Sequence, residues 1–153
     1  MASDLSLVDV DPASAATASP LGVGFGAVEG CDLVFHASAS ADGLATALRL
    51  VRDGGEVVEL SWYGDRPVPV PLGEDFHARR LVIRGSQVGV VARPDRSHAE
   101  RMALAVALLA DPVFDVLITG ESPFDELPSV LPRLADGTLP ALCHRVDYGA
   151  RHG

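Results

Sequence analysis

The sequence predicts an α/β fold: a partial parallel sheet with flanking helices. Three observations carry this. Apolar runs of strand length alternate with amphipathic runs of helix length. The stretches at 31–37 ("CDLVFHA") and 56–60 ("EVVEL") are nearly continuous in apolar residues, the pattern of strands buried on both faces of a parallel sheet. Between them, "SADGLATALRLVRDGG" carries helix signals at both ends.

The elements follow in chain order. "LSLVD" at 5–9 is a strand. Residues 12–19 suit a short helix with Pro12 at its first position, ended by Pro20. "LGVGF" at 21–25 is a short strand weakened by glycine. After the strand at 31–37, Ser40 or Asp42 caps a helix whose Leu44, Ala47, Leu48 and Val51 recur on one face. Gly54 and Gly55 supply its left-handed stop. A strand at 56–62 follows. "DRPVPVPLG" at 65–73 cannot be a central strand, because Pro67, Pro69 and Pro71 donate nothing to a ladder. "LVIRGSQVG" at 81–89 is a strand. "SHAERMALAVALLAD" at 97–111 is the clearest helix, with Ser97 and Glu100 spaced as a capping box. "FDVLITGESP" is a strand or an extended segment. "FDELPSVLPRLADG" is a helix that Pro128 and Pro132 should kink or break, and "ALCHRVDY" is a last strand. No internal repeat is visible.

The chain has 153 residues, of which 48% are apolar and 22% charged, so it is globular and large enough for one domain. Its 15 glycines and 11 prolines are scattered and form no low-complexity segment. A net charge of −9 without a basic patch argues against nucleic acid as a partner. No apolar run is long enough to span a membrane. The N-terminus, with Asp4 and Asp9 and no basic stretch, does not read as a signal peptide. Cys31 and Cys143 form no CxxC pair and suit a reducing compartment. A cytoplasmic location is the expectation.

The order of signals is more specific than any one of them. "VDVDP", "GCDLVFHASAS", "LRLVRDGGEVVELSWYGDRPVPV", "LVIRGSQVG" and "FDVLITGESPFDELPSVLPRLADG" follow one another in a chain that resembles the C-terminal part of the zinc-type, medium-chain alcohol dehydrogenases. The resemblance runs from about Leu5 to Tyr148. It implies a partial Rossmann sheet that lacks its first strand and glycine-rich loop. Residues 1–113 would belong to the NAD-binding domain, and 114–153 to a segment that in the family returns to the catalytic domain. The family's N-terminal domain supplies the zinc-binding Cys, His and Glu. The sequence therefore reads as a dehydrogenase truncated before its second Rossmann strand, with zinc expected only in the intact relative.

The resemblance also implies site residues. Asp9 ends the second strand, where a carboxylate accepts hydrogen bonds from the adenosine ribose and repels a 2′-phosphate, so the cofactor would be NAD. Asp11 is the second choice, and it equally suits a helix cap. Loops at the carboxyl ends of the later strands offer Ala37 and Ser38, then Leu60, Ser61 and Trp62, then Ser86, Gln87 and Val88. Many relatives carry glycine at the position of Ser61. Each of these residues has a plain alternative: Ser38 and Ser40 start the helix, Trp62 fills the end of the core, and Ser86 and Gln87 are ordinary loop residues.

No metal site is expected. His36, His77, His98, His144 and His152 show no ligand spacing, and Cys143 and His144 point to opposite faces of a strand. Glu74 and Asp75, like Glu121, Asp125 and Glu126, suit solvated faces and caps. No Ser/His/Asp order is visible, and no catalytic residue can be named from the sequence.

The family's missing strand would lie at the centre of the sheet. Its loss separates the strands at 5–9 and 21–25 from the rest and leaves sheet edges open. Unsatisfied buried groups cost about 1–3 kcal/mol each, against about 5–15 kcal/mol for a whole domain. Three outcomes follow. "LSLVD" pairs directly with "CDLVF"; the chain pairs with a second copy or a partner chain; or the product is an inert fragment. The functional expectation is the NAD-binding portion of an oxidoreductase that passes hydride between an alcohol or carbonyl substrate and NAD, inactive as this chain alone. The alternative is a non-catalytic interaction module.

Overall fold

The computed structural model describes residues 4–73, 75–89 and 96–149. Glu74 and His152, named above, lie outside the described residues. Proximity along the backbone divides the chain into two units, residues 26–98 and residues 1–25 with 99–153.

The 26–98 unit holds the main sheet. β3 (Cys31–His36), β4 (Val51–Glu59) and β5 (Val82–Gly85) lie side by side, all parallel, in the order β3-β4-β5. One helix, α2 (Ala41–Leu50), connects β3 to β4. Ser40 caps it, its hydroxyl accepting the Gly43 amide at 3.0 Å. Leu44, Ala47 and Leu48 turn inward and pack with Val51, Val57 and Leu81, with Val34, Phe76 and Ile83 against them. The register Val34–Val57–Ile83 puts those three side chains on the helix-covered face.

Two expectations change here. The helix stops at Leu50, and Val51, fully buried, already pairs with Cys31 as the start of β4. Arg79 explains the early stop: its guanidinium donates to the carbonyls of Leu48 and Val51 at the open helix end and pairs with Asp53 at 2.8 Å. Gly54 (φ +69°) then turns the chain, its amide donating to the Arg79 carbonyl at 2.7 Å. Secondly, β3 is not buried on both faces. Leu33 is 41% and Phe35 58% exposed, because α2 covers only the Val34 and His36 side. The strands also end sooner than the sequence suggests, β4 at Glu59 and β5 at Gly85. Residues 65–73 hold no strand, as their prolines require.

In the other unit, β1 (Ser6–Leu7) and β2 (Gly24–Phe25) form a short parallel pair. Between them lie α1 (Ser14–Ala18) and a 3-10 turn, Ser19–Leu21. The strand at Ser6–Leu7 therefore pairs with Gly24–Phe25 and not with "CDLVF". α3 (His98–Leu109) begins directly after Ser97. Residues Pro112–Leu117 form a 3-10 turn that Asp111 caps through the Val113 amide, so the extended stretch expected from Phe114 begins only after Leu117. β6 (Ile118–Pro123) then pairs in parallel with β7 (Cys143–Asp147). A 3-10 turn, Phe124–Glu126, leads into α4 (Leu127–Ala135), which runs unbroken. Pro128 falls in its first turn, where an amide has no intrahelical acceptor, so only Pro132 removes a helical bond.

Candidate functional site

The parallel register places His36 beside Glu59, each the last residue of its strand and both on the face that α2 covers. Because α2 starts over these strand ends, His36 is 5% exposed and the Glu59 side chain 16%. Glu59 Oε2 lies 2.7 Å from His36 Nδ1. A carboxylate only accepts, so Nδ1 carries the proton and Nε2 is the acceptor. Ser38, two residues beyond β3, donates to Nε2 at 2.8 Å. The Ser40 hydroxyl stands 3.0 Å from Ser38 Oγ. A directed chain of hydroxyl, hydroxyl, imidazole and carboxylate results.

Glu59 is satisfied from a second side. Its Oε1 accepts the Ser61 amide at 2.7 Å, and its Oε2 accepts the Tyr63 hydroxyl at 3.3 Å. The Ser61 hydroxyl accepts the Ala39 amide at 3.0 Å and so ties the loop after β3 to the loop after β4. Ala39 holds φ +50°, an uncommon conformation for a residue with a side chain. Burial pushes the Glu59 carboxyl up, but hydrogen bonds from Ser61 and His36, with the positive charge the imidazole carries when it is protonated, outweigh it and hold the carboxyl below its ordinary value. The Tyr63 phenol goes up, through burial first and then the Glu59 charge.

Gly43 makes the arrangement possible. A Cβ there would collide with Ser38 Oγ and come within 2.8 Å of both His36 Nε2 and Ser40 Oγ. Only glycine lets the first turn of α2 pass this close over the imidazole.

The structure gathers most of the sequence-derived candidates at this end of the sheet. Ala37 and Ser38 follow β3; Leu60, Ser61 and Trp62 follow β4; Ser86, Gln87 and Val88 follow β5. Backbone bonds stitch the three exits together: Leu60 donates to the His36 carbonyl at 2.8 Å, and Ser86 to the Glu59 carbonyl at 2.9 Å. Trp62 does not fill the end of the core. It is 83% exposed, as Val88 is 79%. The Gln87 side chain turns back to accept the Gly89 amide at 2.5 Å. Asp9 and Asp11 lie in the other unit. Asp9 Oδ1 accepts the Asp11 amide at 2.9 Å and Oδ2 the Ser14 hydroxyl at 3.0 Å, bonds that lower its pKa. Asp11 accepts the Ala13 amide at 2.9 Å, the cap-like role it equally suited.

His36 and Glu59 as partners, with Ser40, Gly43 and Tyr63, were missed by sequence reasoning. The signal was present: "DLVFH" and "EVVEL" each place a polar residue two positions after an inward valine, so parallel pairing brings the two together. Among the described residues no cluster of three or more His, Cys, Asp or Glu could hold a metal ion. No helix among them is long and apolar enough to cross a membrane.

The architecture, small parallel sheets and helices, matches in fold a part of solved dehydrogenases. The likeness is seen with L-idonate 5-dehydrogenase from Escherichia coli K-12, at a TM-score of 0.75 and 22% identity over 96% of this chain and 43% of that one. Alcohol dehydrogenase TADH from Thermus sp. ATN1 superposes at 0.70 and 24% identity, over 95% of this chain and 44% of that one. Escherichia coli K-12 YhdH, solved with NADPH bound, superposes at 0.67 and 16% identity over 94% and 46%. The chain thus spans less than half the length of each. No protein-family model matches it, and no curated protein does.

Proposed function

We propose that this chain is the cofactor-domain portion of an alcohol dehydrogenase-like oxidoreductase, with residues 26–98 providing one wall of a nicotinamide dinucleotide site. The observation that carries the reading is the bundle of three loops stitched together at the carboxyl end of a parallel sheet, where open α/β sheets bind ligands. The residues there suit a nucleotide in kind: exposed Ala37 and Ser38, the open indole of Trp62, and Ser86. A nicotinamide held there would supply hydride transfer, accepting a hydride from an alcohol carbon or donating one to a carbonyl carbon. The chain's own part is to position it, the Ser61–Ala39 bond fixing two loops against each other. The resemblance that makes Asp9 a ribose acceptor implies NAD over NADP. Zinc does not fit the described residues, which offer no ligand cluster, so no step passes through it here.

Trp62 is the only tryptophan, so its fluorescence reports on this site alone. NADH added to the full chain is expected to quench it in a saturable way, NADPH more weakly. Absence of saturable quenching, together with absence of binding heat at millimolar NADH, rejects the reading. A rival reading, a module that pairs with another chain, is favoured by β3 lying at the sheet edge with Leu33 and Phe35 exposed. A stable oligomer without NADH quenching would support that instead.

A further inference from the structure

The directed chain Ser38–His36–Glu59 goes beyond a cofactor wall. We propose that Ser38 is a histidine-activated nucleophile that reacts with small activated carboxylic esters. The hydroxyl stands 2.8 Å from His36 Nε2, and the opposite ring nitrogen stands 2.7 Å from Glu59 Oε2. These are the separations at which a base takes a serine proton and a carboxylate holds that base in one tautomer. Burial and exposure are divided as the chemistry needs. His36 and Glu59 are shielded, so imidazole and carboxylate interact at low dielectric. Ser38 is exposed, so an electrophile reaches it.

The carboxylate is also fixed. The Ser61 amide and the Tyr63 hydroxyl occupy its other lone pairs, leaving it one geometry against the ring. A simple loop tether does not need an imidazole with one nitrogen on a locked carboxylate and the other on an open hydroxyl. The Ala39 amide, next to the nucleophile, is committed to Ser61. Charge on the ester oxygen would therefore fall to the opening turn of α2, whose Ala41 and Asp42 amides precede the first helical bond.

In the reaction, Ser38 Oγ forms a bond to the ester carbonyl carbon while its proton passes to His36 Nε2. The bond from that carbon to the leaving aryl oxygen breaks, the electron pair departs with the oxygen, and the proton on Nε2 neutralises it. Water repeats the sequence on the acyl-serine and releases the carboxylic acid.

The test needs no cofactor, which separates it from the NADH titration. The full chain is treated with a fluorophosphonate reporter and with p-nitrophenyl acetate, and the product is followed by intact mass and peptide mapping. One adduct on Ser38 is expected, absent in a Ser38→Ala variant that keeps a cooperative melting transition. In His36→Gln the labelling rate is expected to fall by about 10²-fold, the contribution of a general base. Glu59→Gln keeps the shape of the side chain but not the acceptor that holds the ring's tautomer, and its labelling is expected to slow as well, with a cooperative melting transition retained. The proposal is overturned if no adduct forms, if it maps to another residue, or if Ser38 labels at the wild-type rate in a folded His36→Gln or Glu59→Gln variant.

Discussion

His36 and Glu59 end adjacent parallel strands in direct register, and their side chains meet at 2.7 Å. The pairing converts two strand ends into one polar clasp, since Ser38 hangs from one partner and Ser61 from the other.

Glu59→Ala should therefore cost more than an exposed ion pair would. Exposed pairs contribute about 0–1 kcal/mol. Here the truncation leaves the Ser61 amide and the Tyr63 hydroxyl without their acceptor in a partly buried place. A loss of about 1–3 kcal/mol is expected, read as a lower urea midpoint at unchanged slope. Removing the Arg52–Asp32 pair, whose side chains are 54% and 86% exposed, should by comparison change almost nothing. Equal effects of the two changes would contradict a clasp.

The clasp also sets an acid limit. The folded Glu59 pKa lies below its unfolded value. Its contribution is thus complete above the ordinary carboxylate range and is lost as pH falls through the lowered folded value. Urea midpoints of wild type and Glu59→Gln should differ near neutrality and converge on acidification. A gap that stays constant down to strongly acidic pH would assign the difference to shape and not to charge.

Gly43→Ala tests the close approach. Alanine normally stabilises a helix position relative to glycine by about 0.5–1 kcal/mol. At this position the added Cβ meets Ser38, His36 and Ser40 together, and overpacking costs about 1–3 kcal/mol. The steric term wins, so the variant should melt lower than wild type. A melting temperature at or above wild type would mean that the hydroxyls have room to move.

Much of this was legible in the chain itself. The apolar periodicity of Leu44, Ala47 and Leu48 and the prolines at 67, 69 and 71 act locally, so the helix face and the absence of a strand could be read directly. The helix stop could not, because Arg79, distant in sequence, closes the helix end near Leu48 and Val51. The exposure of Leu33 and Phe35 was equally illegible. Apolar content says that a strand wants cover, not whether a helix supplies it on both sides. The Ser38–His36–Glu59 chain depends on register, which joins residues 36 and 59 only after the sheet has formed.

The β6–β7 pair offers a matching test in the other unit. Gly120 and His144 are register partners. The ring is anchored by Nε2, 2.9 Å from Ser122 Oγ, and Ser122 is 5% exposed. Its Nδ1 is buried and, among the described residues, has no hydrogen-bond partner. A Cβ at position 120 would stand 2.5 Å from that Nδ1 and 3.5 Å from Ala141 Cβ. Gly120→Ala should therefore destabilise by about 1–3 kcal/mol, against the usual gain of replacing a strand glycine. His144→Ala alone removes the ring and its bond to Ser122. In the double variant the clash has no partner, so the loss should be smaller than the sum of the single losses by at least about 0.5 kcal/mol. Strict additivity in the urea midpoints would show that the ring at 144 already yields to a methyl group, and that glycine is not required opposite it.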